Sequence, residues 1–195
     1  MLLKLWRLAY VHLILPFQVS TAPIPQVAWG AAIGMFIGLT PTVGVQMYIS
    51  ALLWIICRYV FRFRFNLPIA IAMVWISNPV TVVPLYYGYL KTGEWLLAMW
   101  GHVGTPTDYA GFKAIMKGAE ELSAHALWDR IVRGLAALFW LFGWPIVVGG
   151  VAWAIPLAIL THPVTTFGLL RYRRRLAEQE GLSYQEWKAQ RVRPE

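Results

Sequence analysis

Trp75-Ile76-Ser77-Asn78-Pro79-Val80-Thr81 lies at the centre of an otherwise apolar stretch, Leu67–Leu90. A second interruption of the same kind, Thr40-Pro41-Thr42-Val43-Gly44, lies at the centre of the preceding apolar block, Val27–Cys57. A proline inside a helix removes a backbone donor and clashes with the preceding turn. It also pushes the residue before it out of the helical region. Lipid cannot supply the hydrogen bonds that such a break frees, so broken backbone persists at membrane depth only where protein covers it or a cavity adjoins it. The two breaks are therefore either the working part of the chain or its tightest turns.

Composition sets that frame. The chain of 195 residues is 58% hydrophobic and 13% charged, with mean hydropathy +0.55 and 11 Trp. Soluble domains run at about 45–50% apolar and about 25% charged. These values predict an all-α integral membrane protein with one membrane domain. The net charge is +8, carried by residues at the ends of apolar blocks, where the positive-inside rule places them. Anionic membrane lipids are the partners this implies; nucleic acid is not. Arg58, Arg62 and Arg64 after the first block, and Arg171, Arg173, Arg174 and Arg175 after the last, are the candidate headgroup contacts. Cys57 is the single cysteine, so no intrachain disulfide can form. The four histidines are scattered without ligand spacing. Neither a metal nor a cofactor is expected.

In chain order, residues 1–25 read as a retained interfacial helix, Met1–Leu15, followed by a linker made extended by Pro16, Pro23 and Pro25. A membrane domain follows over 26–175. A straight span needs about 20 residues, and the break at Thr40–Gly44 divides the first block into halves shorter than that. The layouts left are a re-entrant helical hairpin or one tilted, kinked helix. Basic residues on both flanks favour the hairpin, with both ends cytoplasmic. Lys91 after the second block favours a second hairpin, with Pro84 as an additional break. Residues from about 108 to 132 place apolar side chains at helical spacing opposite Lys113, Lys117, Glu120, Glu121 and Asp129, the pattern of an amphipathic surface helix. Leu135–Leu170 as one straight helix would be about 54 Å, against a hydrocarbon core of roughly 30 Å. Pro145, Gly149-Gly150, Pro156 and His162-Pro163 are the candidate breaks of a third hairpin, or of one span plus an interfacial piece. Residues 176–195 form a soluble tail with a capping box at Ser183–Glu186.

The side chains that accompany the breaks narrow the chemistry. Thr40, Pro41 and Gln46 at the first, and Ser77, Asn78 and Pro79 at the second, with Tyr86 beyond, supply hydroxyls, amides and freed backbone groups. A matched pair of broken apolar segments is a sequence pointer to a transporter-type binding site; turns that merely satisfy their own backbone are the plainer reading. Gly30, Gly34 and Gly38 share one helix face, which suits close helix packing within the chain or a homo-oligomer through that face. No Asp or Glu precedes Glu94, and none lies in the three apolar blocks. That excludes carboxylate acid–base catalysis within the blocks and carboxylate proton relays. No nucleophile motif is present, so an enzyme is not expected.

Gly30-x-x-x-Gly34 with Gly38, Pro41-x-x-Gly44-x-Gln46, Arg64-Phe65-Asn66-Leu67-Pro68, Ser77-Asn78-Pro79 and Pro84-Leu85-Tyr86-Tyr87 together resemble the bacterial membrane family catalogued as domain of unknown function 2062. The stretch from Trp144-Pro145 through Gly149-Gly150 to Arg171–Arg175 is similar to its C-terminal part. The resemblance covers about residues 20–175; its specific part is Asn78-Pro79 with the following Pro-Leu-Tyr-Tyr, and Gly101–Arg133 reads as an insertion. It implies a bacterial inner-membrane protein, of a kind sometimes joined to glycosyltransferases. By analogy, the chain is expected to bind or move a lipid-linked or anionic cell-envelope substrate. The alternative is a non-enzymatic accessory or scaffold subunit of an envelope complex.

Overall fold

The computed structural model describes residues 10–42, 44–78, 80–101, 109 and 127–192, with the backbone alone for 12, 13 and 127–142. Every regular element among the described residues is helical. A π-helical turn, Tyr10–Ile14, leads into α1 (Leu15–Val19). Then come α2 (Ile24–Leu39), α3 (Gln46–Tyr59), α4 (Leu67–Val74), α5 (Val82–Met99), α6 (Leu127–Gln179) and α7 (Tyr184–Arg191). The expected interfacial helix Met1–Leu15 falls mostly outside the described residues. So does the amphipathic helix at about 108–132, of which only Tyr109 and the first turns of α6 are described.

Both breaks fall where the sequence places them. α2 stops at Leu39 and α3 begins at Gln46; α4 stops at Val74 and α5 begins at Val82. The other prolines behave differently. Pro16 lies in the first turn of α1, Pro25 in that of α2 and Pro68 in that of α4, where a missing N–H breaks no intrahelical bond. The extended linker therefore shrinks to Ser20–Pro23. Pro84 lies in the first turn of α5 and makes no second break. Lys91 lies inside α5, paired with Glu94 at 2.8 Å, so it does not mark the end of a block.

The third block departs furthest from expectation. Helix runs through Pro145, Gly149-Gly150, Pro156 and Pro163, and the single non-helical residue is Gly143, at φ 53° and ψ −154°. A positive φ is open to glycine at little cost. Placed there, the kink leaves Pro145 near the start of a long arm, Gly143–Gln179, which is long and apolar enough to cross a membrane.

Glycine positions set the packing. Gly30, Gly34 and Gly38 bring α2 against Asn66, Ala70 and Met73–Val74. Both residue series rise together, so α2 and α4 run parallel. Gly93 of α5 and Gly149 of α6 bring those helices together around Pro145 and Tyr89. Gly150 packs against Leu39 and Pro41, while Leu169 joins a core with Val27, Ala31, Ile69 and Met73. The long arm thus runs antiparallel to α2 along its full length. The glycine face of α2 packs on α4 within the chain.

Two ends of the molecule follow. The Asn66 N–H donates to the Gln26 carbonyl at 2.9 Å, so the start of α2 and the chain leaving α3 lie together, and the first block returns to where it began. At the opposite end the two breaks meet. α7 docks on the end of α6 through Trp187, 6% exposed, and the capping box at Ser183–Glu186 is present.

Candidate functional site

The first break leaves the last carbonyls of α2 without helical partners. The Gln46 side chain, 4% exposed, meets this need from the start of α3. Its Nε2 donates to the Gly38 carbonyl at 3.3 Å and the Thr40 carbonyl at 3.2 Å. The Thr40 hydroxyl donates to the Ile37 carbonyl at 2.7 Å and lies 3.0 Å from the Thr42 hydroxyl. Pro41, half-buried, packs against Gly150.

The second break is closed by its own residues. Asn78 Oδ1 accepts from the Val80 and Thr81 N–H groups at 2.9 and 3.1 Å, and its Nδ2 donates to the Trp75 carbonyl at 3.3 Å. The Asn78 N–H donates to the Thr81 hydroxyl, which donates to the Ile76 carbonyl at 2.6 Å. Pro79 lies outside the described residues.

One bond joins the breaks: the Ser77 hydroxyl donates to Gln46 Oε1 at 2.9 Å. The Gln46 amide then has both donors and one acceptor position in use within the chain. Thr40, Pro41, Gln46, Ser77 and Asn78 are therefore brought to one end of the molecule, but as a closed polar link. Tyr86 stands apart from it, fully buried in the core beside Leu39, Tyr89 and Ile146.

The other end is basic and open. Ala22, Pro23, Gln26, Trp54, Arg58, Arg64 and Phe65 line a cavity of about 340 Å³. The Arg58 guanidinium lies over the Trp54 ring, 5.1 Å from its centroid, and the Trp54 indole N–H donates to the Phe65 carbonyl at 3.1 Å. Arg62, between the two cavity arginines, is exposed and has φ 52°, a left-handed backbone that costs a side-chain-bearing residue about 1–2 kcal/mol.

Arg173 belongs to this end but not to its surface. It is 3% exposed, and its Nη2 donates to the Ser20 and Ala22 carbonyls at 2.8 Å each. Its grouping with Arg171, Arg174 and Arg175 as a headgroup contact is corrected by that burial; those three are exposed. A helical signal was present in the sequence: Leu169, Arg173 and Ala177 fall four residues apart and all are buried. Sequence reasoning also missed Gln26 and Trp54, because nothing local shows that the start of α2 faces the end of α3.

The chain's order of motifs, its helices and its two matched breaks can be set beside known proteins. The family described as an uncharacterized protein conserved in bacteria, domain of unknown function 2062, matches residues 8–178. The chain belongs to this family. The matched range takes in α1 through the long arm of α6, and with it both breaks and the basic end. Neither a curated protein nor a solved structure matches the chain.

Proposed function

We propose that the chain is a small bacterial inner-membrane protein that binds a lipid-linked or anionic cell-envelope substrate at its basic end. The observation that carries this reading is the placement of exposed apolar surface. Along the long arm of α6, Ile155, Leu157, Ile159, Leu160, Val164 and Phe167 are exposed. Large apolar surface of this kind marks a membrane or a partner, and basic residues gather at one end of it, as at a headgroup level. Both ends of the first block lie at that basic end, which supports a re-entrant pair formed by α2 and α3 with its turn inside the membrane. Binding is favoured over passage because the link at the breaks is closed by its own hydrogen bonds.

The test is reconstitution of the purified protein in vesicles of mixed zwitterionic and anionic phospholipid. The reading expects the protein to retain anionic lipid after washing and to resist extraction by alkaline carbonate. Release into the soluble fraction, with no preference among lipids, would exclude it.

A second reading, a non-enzymatic accessory or scaffold subunit, has its own support in the closed link, which braces two helix pairs without opening a site between them. It expects a stable, stoichiometric envelope protein to co-purify from native membranes. A purified chain that binds or moves lipid alone would exclude it.

A further inference from the structure

Deepening the membrane reading above, on which it rests, we propose that the cavity between Arg58 and Arg64 is a specific site for one phosphate group, that of an anionic phospholipid whose acyl chains lie along α3. The geometry of the cavity points to an anion. Two arginines line one recess of about 340 Å³, within the roughly 300–1,000 Å³ range of small-molecule sites. Among the described residues neither arginine has an ion-pair partner. The segments that carry the lining residues supply none either, since no Asp or Glu precedes Glu94. Both arginines reach the surface, where an anion from outside can meet them, and a guanidinium's planar donors match phosphate oxygens.

The recess is also held in shape. Stacking on Trp54 orients Arg58, and the bond from the Trp54 indole to the Phe65 carbonyl fixes that ring. Arg173 clamps the carbonyls of Ser20 and of the cavity-lining Ala22. Gln26 adds a neutral amide side chain to the lining, while its backbone carbonyl is already taken by Asn66. Arg173 is thus a positioning residue and Arg58 and Arg64 are the binding ones.

The choice of a lipid over free phosphate comes from α3 itself. Tyr48, Leu52, Ile55 and Tyr59 are exposed and recur at spacings of four, three and four, so they form one stripe that ends beside Arg58. A phosphate held by Arg58 and Arg64 therefore stands at the end of an apolar track long enough for a chain to follow. A free anion would leave that track without an occupant.

The experiment is native mass spectrometry of the full chain released from nanodiscs of mixed phosphatidylglycerol and phosphatidylcholine, counting retained lipid. The wild type should keep one phosphatidylglycerol. Arg58→Gln with Arg64→Gln should weaken that retention about tenfold or more, the size expected for loss of charge-assisted hydrogen bonds. Lys188→Gln with Arg191→Gln, which removes equal charge from α7, should leave it unchanged, and Arg58→Lys with Arg64→Lys should bind at an intermediate level. Equal loss in the two Gln pairs would show diffuse attraction and overturn the site. Displacement of the lipid by millimolar inorganic phosphate would overturn the lipid as its source. Unchanged retention in the Arg58/Arg64 pair, in a protein still embedded in the nanodisc, would overturn the site while leaving the membrane reading intact.

Discussion

The glycine seams and the polar link both bring helices together, in opposite ways. At the seams, Gly34 against Ala70 and Gly149 against Tyr89, backbone meets backbone and nothing on either side can move aside. At the link, Gln46 and Ser77 hold α3 to the end of α4 through side chains that can be exchanged or rebuilt. Close packing of small residues is the main attractive force left to helices in lipid, whereas the link answers a local need created by two broken helices. The seams should therefore tolerate substitution far less than the link.

The largest effects are expected at the seams. Gly149→Ala or Gly93→Ala would drive a Cβ into the backbone of the facing helix, with a loss at or above the upper end of the roughly 1–3 kcal/mol seen for overpacking. Gly34→Ala should come close behind, and Gly38→Ala should be milder, since its Cβ would stand 3.1 Å from the nearest atoms. Thermal unfolding in detergent measures the order. Gly168→Ala, facing open space in the same long arm, should be neutral or slightly stabilising; equal damage there would remove the argument from close approach.

At the link, Gln46→Ala leaves the Gly38 and Thr40 carbonyls and the Ser77 hydroxyl without this partner. A loss of about 1–3 kcal/mol is expected for stranding buried polar groups. A double-mutant cycle with Ser77→Ala should show that the two losses do not add, as for any pair in one hydrogen-bond network; strict additivity would mean that the bond joining the breaks contributes nothing. Asn78→Ala removes a local cap and should cost about 1 kcal/mol, as for a helix N-cap.

The smallest effect lies outside both regions. The Glu186 carboxyl accepts from the Ser183 hydroxyl and N–H, at 2.6 and 2.9 Å, and these bonds hold its pKa below the usual carboxylate value. A lowered folded pKa means that the contribution is complete above the ordinary carboxylate value and fades as pH falls through the folded one. Amide-exchange protection of α7 should weaken over that acidic window in the wild type and show no such step in Glu186→Gln.

How much was legible in the sequence follows the same division. Local signals hold in the structure: both breaks, the cap at Ser183, and the glycine face of α2 all rest on residues that dictate their own backbone. Whatever depends on a distant partner is not legible in the sequence. Pro145, Pro156 and Pro163 looked like breaks, yet the long arm runs through them because its one interruption is at Gly143, and no local feature distinguishes that glycine from Gly149-Gly150. Those two serve packing against Tyr89 and Pro41 instead. Arg173 reads in sequence as one more headgroup contact, whereas its guanidinium is taken by the Ser20 and Ala22 carbonyls. At the candidate sites, the meeting of Gln46 with the second break was implied by matched interruptions, whereas the recess of Arg58 and Arg64 required the return of the chain from α3 to Gln26.

In the proposed arrangement the exposed faces of α3 and the long arm of α6 lie in lipid, with the basic end and α7 outside it. Spin labels at Leu52 and Leu160, compared with labels at Arg62 and Gly181, test this in one measurement of accessibility to oxygen and to a water-soluble nickel complex. Labels at Leu52 and Leu160 should be reached by oxygen and shielded from nickel, with the opposite result at Arg62 and Gly181. Nickel access at Leu52 and Leu160 equal to that at Gly181 would contradict it.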